Sequence, residues 1–143
     1  MITAGTNYLA IVVAALAGFG FGAIYYMSLA KPWMNAVGWT PEEQARHLKG
    51  ELNPSKMPFV IAILANLVMA VVLAGIVSHL GPGQTTIRNG IISGAFCWFG
   101  FVLTTLSVNY AFTARKPALT LIDGGHWLGV LLIMGAVIGA FGS

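Results

Sequence analysis

Charged residues are scarce in this sequence, which contains only 8% Asp, Glu, Lys and Arg and just four acidic residues among 143. An average soluble domain has about 25% charged residues, so this composition excludes an ordinary water-soluble domain. The sequence has instead 57% hydrophobic residues, gathered in long runs. In hydrocarbon every backbone polar group must be paired within the protein, which leaves α-helices or a closed barrel. The runs lack the polar alternation of a barrel strand and extend for about twenty residues, so they predict membrane-spanning helices.

Cysteine is nearly absent as well. Cys97 is the single cysteine and lies inside an apolar run, so an intramolecular disulfide cannot form. The net charge of +3 comes from seven basic residues that lie between the apolar runs rather than along one face. Basic residues beside membrane spans are a topological signal. We therefore expect a lipid bilayer as the partner of this chain, and no nucleic acid.

The fold class predicted by these runs is all-α, a polytopic membrane protein whose four transmembrane helices form one bundle and one domain over residues 1–143. A short extramembrane helix should begin in the first loop, because Thr40, Pro41 and Glu43 follow the pattern of a capping box. That helix should end near Gly50. The predicted spans cover about residues 8–29, 58–80, 89–112 and 118–141, and the polar loop covers residues 30–57.

Basic residues are distributed unevenly between the two sides of the predicted bundle. The side with the chain termini has only Arg88. Cytoplasmic loops of membrane proteins carry an excess of Lys and Arg. We therefore predict that both termini face outward and that the first and third loops face the cytoplasm. Those two loops contain Lys31, Arg46, Lys49, Lys56, Arg115 and Lys116.

Asp123 is the only acidic residue inside a predicted span, where insertion of a charge costs about 2.5–3.5 kcal/mol near the helix centre. His126 follows one helical turn later, so the two side chains share a face and could exchange a hydrogen bond or a proton. Such a cluster could bind an anion or a small polar ligand, relay protons or contribute ligands to a metal. The predicted topology places further polar residues at the same depth, namely Tyr25, Asn66, Asn109 and Tyr110.

The same polar residues could instead hold the bundle together. Buried polar side chains join membrane helices through hydrogen bonds worth about 0.6–2 kcal/mol each. Asp123 could also pair with Arg115 or Lys116 near the start of its helix. For a metal, Asp123 and His126 supply two ligands, whereas a closed zinc site needs four. No catalytic motif is visible either, and we predict no metal, cofactor or catalytic residue.

Small residues recur at four-residue spacing on three of the predicted spans, an arrangement that lets helix backbones approach closely. These stripes predict faces for helix packing within the bundle, or for contact with a partner chain in a homo-oligomer or a larger membrane complex. The stripe residues are Ala10, Ala14, Gly18, Gly22, Gly90, Gly94, Gly125, Gly129, Gly135 and Gly139.

The first span and its loop contain three short motifs, Gly22-Ala23-Ile24-Tyr25-Tyr26, Lys31-Pro32-Trp33-Met34 and Gly38-Trp39-Thr40-Pro41-Glu42-Glu43. This stretch resembles the family known as domain of unknown function 1761, whose first-span motif commonly reads Trp-Tyr where this chain has Tyr25-Tyr26. These are small bacterial integral membrane proteins with a similar four-span layout. The resemblance implies the fold and a bacterial inner membrane location, and it carries over no established activity or cofactor.

Three functions are open at this point. The first is a non-enzymatic membrane protein that self-associates, or acts as an accessory subunit of a membrane complex, through the small-residue stripes. The second is a small transporter or proton-coupled ligand-binding protein, with Asp123 and His126 as the titrating pair and Asn66 and Tyr25 as polar neighbours. The third is a membrane enzyme acting on a lipid or a quinone, which rests on the same cluster.

Overall fold

The first span begins where the Asn7 side chain accepts a hydrogen bond from the backbone N–H of Ala10 at 3.1 Å, in the computed structural model that describes residues 7–142. This cap starts α1 (Tyr8–Ser28), and α2 (Ala30–Val37) follows after one intervening residue. α2 ends at Gly38, whose φ of 89° is a left-handed conformation that glycine adopts without strain. The chain turns there into the rest of the polar loop.

The predicted capping box is present in that loop. The Thr40 hydroxyl accepts from the Glu43 N–H at 3.2 Å, and the Glu43 carboxylate accepts from the Thr40 N–H at 2.7 Å. The box starts α3 (Pro41–Leu48), which confirms the predicted short helix. The separate helix α2 is a feature that the sequence did not predict. It forms because Met34 and Ala36 are buried and so give it a packed face.

The remaining spans are α4 (Met57–Ser78), a composite third span and α7 (Pro117–Phe141). The third span consists of α5 (Ile87–Cys97), a π-helical segment (Trp98–Leu103) and α6 (Thr104–Phe112). All four spans are long and apolar enough to cross a membrane, and residues 7–142 contain no strand. The all-α, four-span prediction is confirmed, and each span end lies within two residues of its expected position.

α7 is the central helix of the bundle. It packs along α5 on one side and α1 on another, and α4 packs mainly against α1. The hydrophobic core contains Leu73 and Val77 of α4 together with Val130, Met134 and Ile138 of α7. These core residues of α7 belong to the part of the helix that leads to the C-terminus, so the tightest apolar packing lies toward that end.

Glycines bring α5 and α7 together until their backbones touch. A Cβ at Gly90 would strike the Gly135 carbonyl, and a Cβ at Gly135 would strike the Gly90 carbonyl. A Cβ at Gly139 would meet the Thr86 carbonyl in the same way. A larger residue at these positions would therefore push the two helices apart, because backbone cannot move aside as a flexible side chain can.

Packing differs between the two ends of the bundle. We call the half of each span next to loops 29–56 and 113–116 the basic half, and the half next to the termini the opposite half. In the basic half, residues 57–65 of α4 and 104–112 of α6 include no buried residue within the described chain. Large apolar side chains there face outward, and Phe112 is 89% exposed. Such surfaces suit lipid tails.

Candidate functional site

Asp123, in the basic half of α7, is 8% exposed and is held by two tyrosine hydroxyls. Tyr26, near the end of α1, donates to Oδ1 at 2.7 Å. Tyr110, near the end of α6, donates to Oδ2 at 2.6 Å. Hydrogen bonds to an ionised acceptor are shorter and stronger than those between neutral groups. The carboxylate therefore joins three spans through its two oxygens.

The depth of Asp123 follows from helix geometry. α7 begins at Pro117, so Asp123 lies six residues, or about 9 Å, along the helix from its start. Tyr26 and Tyr110 are each two residues from the ends of α1 and α6. Their side chains are long enough to extend from those ends to the carboxylate. The cluster thus lies within the bundle, close to its basic end.

Within residues 7–142, no basic side chain forms an ion pair with Asp123. Lys116, one of the two partners considered from the sequence, donates instead to the Asn35 carbonyl oxygen at 3.0 Å. This contact ties the turn before α7 to α2. The partners of Asp123 are thus the hydroxyls of Tyr26 and Tyr110, and not Arg115 or Lys116 as considered from the sequence.

His126 is 7% exposed and lies among aromatic rings. Its ring centroid is 4.7 Å from that of Tyr26 and 4.5 Å from that of Trp127. Nδ1 has no hydrogen-bond partner in the described part of the chain. The hydrogen bond that Asp123 and His126 could form is absent among residues 7–142, and the two carboxylate oxygens accept from the tyrosines instead.

Asn66 is a second buried polar residue that is incompletely paired, at 3% exposure. Its Nδ2 donates to the Ala62 carbonyl oxygen at 2.8 Å, whereas Oδ1 has no partner among residues 7–142. That oxygen faces Gly18 of α1, where an added Cβ would lie 2.7 Å from it. An unpaired buried acceptor costs about 1–3 kcal/mol, so a bound water or ligand polar group would be favourable at this atom.

The small face of α1 runs past both of these groups. Gly22 lies one turn beyond Gly18, and an added Cβ at Gly22 would lie 2.7 Å from His126 Nε2. Asn66 of α4 and His126 of α7 therefore contact the same stripe of α1 from two neighbouring helices. The stripe allows polar side chains to pack directly against a helix backbone.

Two other residues selected from the sequence have different positions. The Tyr25 hydroxyl donates to the Ile122 carbonyl oxygen at 2.7 Å, next to Asp123. Asn109 is exposed on the outer surface of α6 and lies outside the cluster. There it lines a shallow groove of about 290 Å³ with Thr104, Thr105 and Val108. The selected residues that the structure brings together around α7 are Asp123, His126, Tyr25 and Tyr110.

Tyr26 is a site residue that the sequence analysis missed. The sequence analysis selected Tyr25 by its depth in the span and used Tyr26 only as part of the first-span motif. In the structure both tyrosines reach α7, with their rings edge to face and their centroids 5.4 Å apart. The available signal was the position of Tyr26 at the same helix end as Tyr25.

Trp98 is the other contact that the sequence analysis missed. It begins the π-helical segment, and its indole N–H donates to the Gly124 carbonyl oxygen at 2.7 Å. π-helical turns are rare, have no simple sequence pattern and are frequent at functional sites. The wider turns change the rotation of α6 relative to α5, and α6 then presents Tyr110 to Asp123.

Aromatic rings continue from the cluster into the first loop. The centroid of Tyr26 is 6.0 Å from that of Trp33, which is 5.2 Å from that of Trp39. The Trp39 centroid is in turn 4.9 Å from that of His47 on α3. α2 and α3 thus place a series of aromatic rings beside the basic end of the cluster.

The ten small residues of the predicted stripes all contact neighbouring elements of this chain or lie in its interior. On α7, Gly125 and Gly129 are half-buried against Tyr25 and Phe21. Packing within the chain accounts for these positions, and their contact with a partner chain stays a prediction. The other eight stripe residues are buried, namely Ala10, Ala14, Gly18, Gly22, Gly90, Gly94, Gly135 and Gly139.

The donor set of the site consists of a carboxylate, three phenols and an imidazole. Across the part of the chain that the structure describes, no three His, Cys, Asp or Glu side chains are grouped so as to hold a metal ion. The chemistry available at the cluster is proton transfer, hydrogen bonding and attraction of positive charge by a carboxylate and aromatic faces.

A known protein family has a model that matches most of this chain. The model of the family described as protein of unknown function (DUF1761) matches residues 9–139. The chain belongs to this family. The match extends from the first span into the fourth and confirms the resemblance seen in the first span and its loop. No curated protein and no solved structure matches the chain.

Proposed function

We propose that this chain is a small transporter or proton-coupled ligand-binding membrane protein whose titrating group is Asp123. The observation that supports this proposal is a carboxylate buried in a span and held by two tyrosine hydroxyls. Ionisable residues within membrane spans are costly, and they mark ion, substrate or proton pathways. Because neither hydroxyl carries a positive charge, the charge of Asp123 remains available to a proton or a ligand.

Tyrosine partners allow Asp123 to change its charge and keep its position. The carboxylate accepts from both hydroxyls. A protonated carboxyl group can donate to one hydroxyl and accept from the other, since a phenol both donates and accepts. The other titratable groups close to this carboxyl group are Tyr25 from α1, His126 on α7, and Arg115 in the turn beside Tyr110.

The unpaired polar atoms supply further positions for a ligand. His126 Nδ1 and Asn66 Oδ1 are buried and without a partner among residues 7–142. A small molecule or water that hydrogen-bonds to them would remove the cost of leaving them unpaired. We propose that these two atoms, together with Asp123, form the polar part of the binding site.

We propose further that the basic half faces the cytoplasm of a bacterium and that both termini lie on the periplasmic side of its inner membrane. The distribution of Lys and Arg supports this orientation. The open packing of α4 and α6 in the basic half supports entry from that side or from the adjoining lipid leaflet.

Native mass spectrometry of the protein released gently from its own membrane tests the proposal. Asp123→Asn keeps the size of the side chain and removes its charge, and Glu51→Gln is a matched control at an exposed position of the first loop. We expect a stoichiometric small molecule on the wild type and on Glu51→Gln, and its loss from Asp123→Asn. The same bound mass on all three proteins would contradict the proposal.

A second candidate is the non-enzymatic role, in which the chain self-associates or serves as an accessory subunit. Its support is the exposed Asn109 amide on α6. Thr104 and Thr105 beside it donate to carbonyl oxygens of their own helix, at Gly100 and Phe101. The Asn109 amide forms no such bond in the described chain, and an amide facing lipid gains most from a hydrogen bond to a partner helix.

The same mass measurement counts subunits and separates the two candidates. Asn109→Leu should reduce the subunit count if α6 is an interface, whereas Asp123→Asn should leave that count unchanged. A bare oligomer or a hetero-complex without any small molecule would favour the assembly role. An oligomer that persists in Asn109→Leu would show that α6 is not the contact face.

A further inference from the structure

The cluster around Asp123 has a negative charge that no ion pair neutralises among residues 7–142: Arg115 lies near Tyr110 but forms no ion pair with the carboxylate. Asp123 is the sole acidic residue outside the first loop, and Lys116 is turned away to the Asn35 carbonyl oxygen. An anionic ligand would be repelled by the carboxylate, whereas a cation would supply the missing opposite charge. The charge of the carboxylate therefore favours a cationic ligand over an anionic one at this site.

The carboxylate also keeps room for another hydrogen bond on each oxygen. An ionised carboxylate has about four lone-pair sites, and Tyr26 and Tyr110 take one each. A cationic group could therefore donate to the remaining lone pairs without replacing either tyrosine. The tyrosines hold the carboxylate in position for such a contact.

The aromatic rings beside His126, one helical turn from Asp123, suit an organic cation better than a metal ion. The rings of Tyr25, Tyr26 and Trp127 lie around His126 with centroid distances of 5.8, 4.7 and 4.5 Å. Faces of Tyr and Trp attract ammonium groups, most strongly where water is excluded. Hard metal ions need six or more oxygen ligands, and no metal-binding group of side chains occurs within residues 7–142.

We propose that the ligand is an amphiphilic organic cation, of the amine or quaternary ammonium class, with its charged group at Asp123. This inference rests on the proposed function, since it names the ligand class for the same site. The apolar part of the ligand lies against the unburied basic halves of α4 and α6, where Phe59 and Phe112 are exposed. Such a ligand would enter from the lipid leaflet at the basic end.

Two ions of nearly the same shape and opposite charge provide the test: tetraphenylphosphonium and tetraphenylborate. Binding is measured by equilibrium dialysis with the protein in nanodiscs of neutral lipid, after subtraction of the uptake by empty nanodiscs. We expect wild type and Glu51→Gln to bind the phosphonium ion, and Asp123→Asn to bind it at least about tenfold more weakly. The borate ion should not bind above the empty nanodiscs.

A pair of substitutions at Tyr26 separates the ring from the hydroxyl, and it keeps the test decisive if Asp123→Asn fails to fold. Tyr26→Phe keeps the aromatic face and loses one hydrogen bond to the carboxylate, so it should weaken phosphonium binding less than Tyr26→Leu does. Tyr26→Leu removes the face and should weaken binding about threefold or more. Equal phosphonium binding by the two Tyr26 variants would contradict the claim that the aromatic face of Tyr26 attracts the cation.

Equal binding of the two tetraphenyl ions, or phosphonium binding unchanged in Asp123→Asn, would overturn the assignment of a cation. If Asp123→Asn still lost a retained small molecule in the mass measurement, the ligand would be uncharged or anionic and the proposed function would stand. If that loss were absent as well, the proposed function would fail together with the ligand class.

Discussion

In the opposite half of the bundle, α5 and α7 touch backbone to backbone at Gly90 and Gly135. In the basic half, α1 and α6 reach α7 through the hydroxyls of Tyr26 and Tyr110, which meet at Asp123. Membrane helices gain no hydrophobic driving force from each other, so close packing and interhelical hydrogen bonds must hold them. In this molecule close backbone packing joins the helices in the opposite half, and interhelical hydrogen bonds join them in the basic half.

The two halves therefore differ in how tightly their helices are packed. Backbone contact between glycines fixes a spacing that no other residue permits, and the apolar core lies in the same half. A polar cluster can rearrange when a proton or ligand arrives, because each hydrogen bond has an alternative acceptor or donor. Binding regions are generally the less stable parts of a protein. In the basic half, residues 57–65 and 104–112 include no buried residue, so this is the less tightly packed half of the described chain.

The largest effect should come from adding one methyl group where the backbones touch. Gly135→Ala should lower the free energy of unfolding by about 1–3 kcal/mol, because its Cβ meets the Gly90 carbonyl. Gly75→Ala is the matched control, since a Cβ there meets nothing within 4 Å. It should be neutral or stabilising by up to about 1 kcal/mol. Unfolding titrations in mixed micelles measure both, and equal effects would show that the backbone contact does not hold the bundle.

Removal of one hydroxyl from the polar cluster should have the next largest effect. Tyr110→Phe should cost about 1–2 kcal/mol, because a hydrogen bond to a charged acceptor is lost. In a double-mutant cycle with Asp123→Asn the two losses should not add, since they remove one shared contact. Tyr8→Phe, at an exposed position of α1, is the control and should change little. Strictly additive losses would mean that Tyr110 does not act through Asp123.

The contact made by the π-helical segment should contribute somewhat less. Trp98→Phe keeps an aromatic ring and removes the hydrogen bond to Gly124, so it should cost about 1 kcal/mol. Trp127→Phe is the comparison, because the Trp127 indole forms no hydrogen bond in the described chain and contacts the His126 ring. Unfolding titrations measure the loss of free energy of unfolding in each variant. A loss at Trp127 as large as that at Trp98 would show that ring packing, rather than this hydrogen bond, sets the effect.

The smallest effect on the bundle itself should come from Asn109→Leu. The side chain is exposed on α6, so the free energy of unfolding of the isolated chain should change by less than about 0.5 kcal/mol. A loss above about 1 kcal/mol would place Asn109 in contact with the cluster, contrary to its observed exposure.

The spans could be predicted from the sequence because membrane helices follow directly from the length of apolar runs. The capping box at Thr40 was equally predictable, since it depends on residues three positions apart. The sequence also selected Asp123 as the centre of a polar cluster, because one charge in an apolar span stands out.

The details of the cluster depend on contacts between residues far apart in the chain. The partners of Asp123 lie 97 and 13 residues away, and no local pattern selects tyrosine over Arg115 or Lys116. Asn109 and Tyr110 have the same depth, and the rotation of α6 after the π-helical segment decides which of them faces inward. That rotation is a property of the packed structure.

Protonation of Asp123 is the measurement that tests most directly whether the cluster is a titrating site. Difference infrared spectroscopy of the protein in lipid follows the carboxylic C=O band as the pH is lowered. We expect a reversible band in the wild type that is missing in Asp123→Asn and shifted in Tyr110→Phe, where one hydrogen bond to the carboxyl group is lost. A wild type with no such band over the whole pH range in which it stays folded would contradict the proposed function, as would the same band in Asp123→Asn.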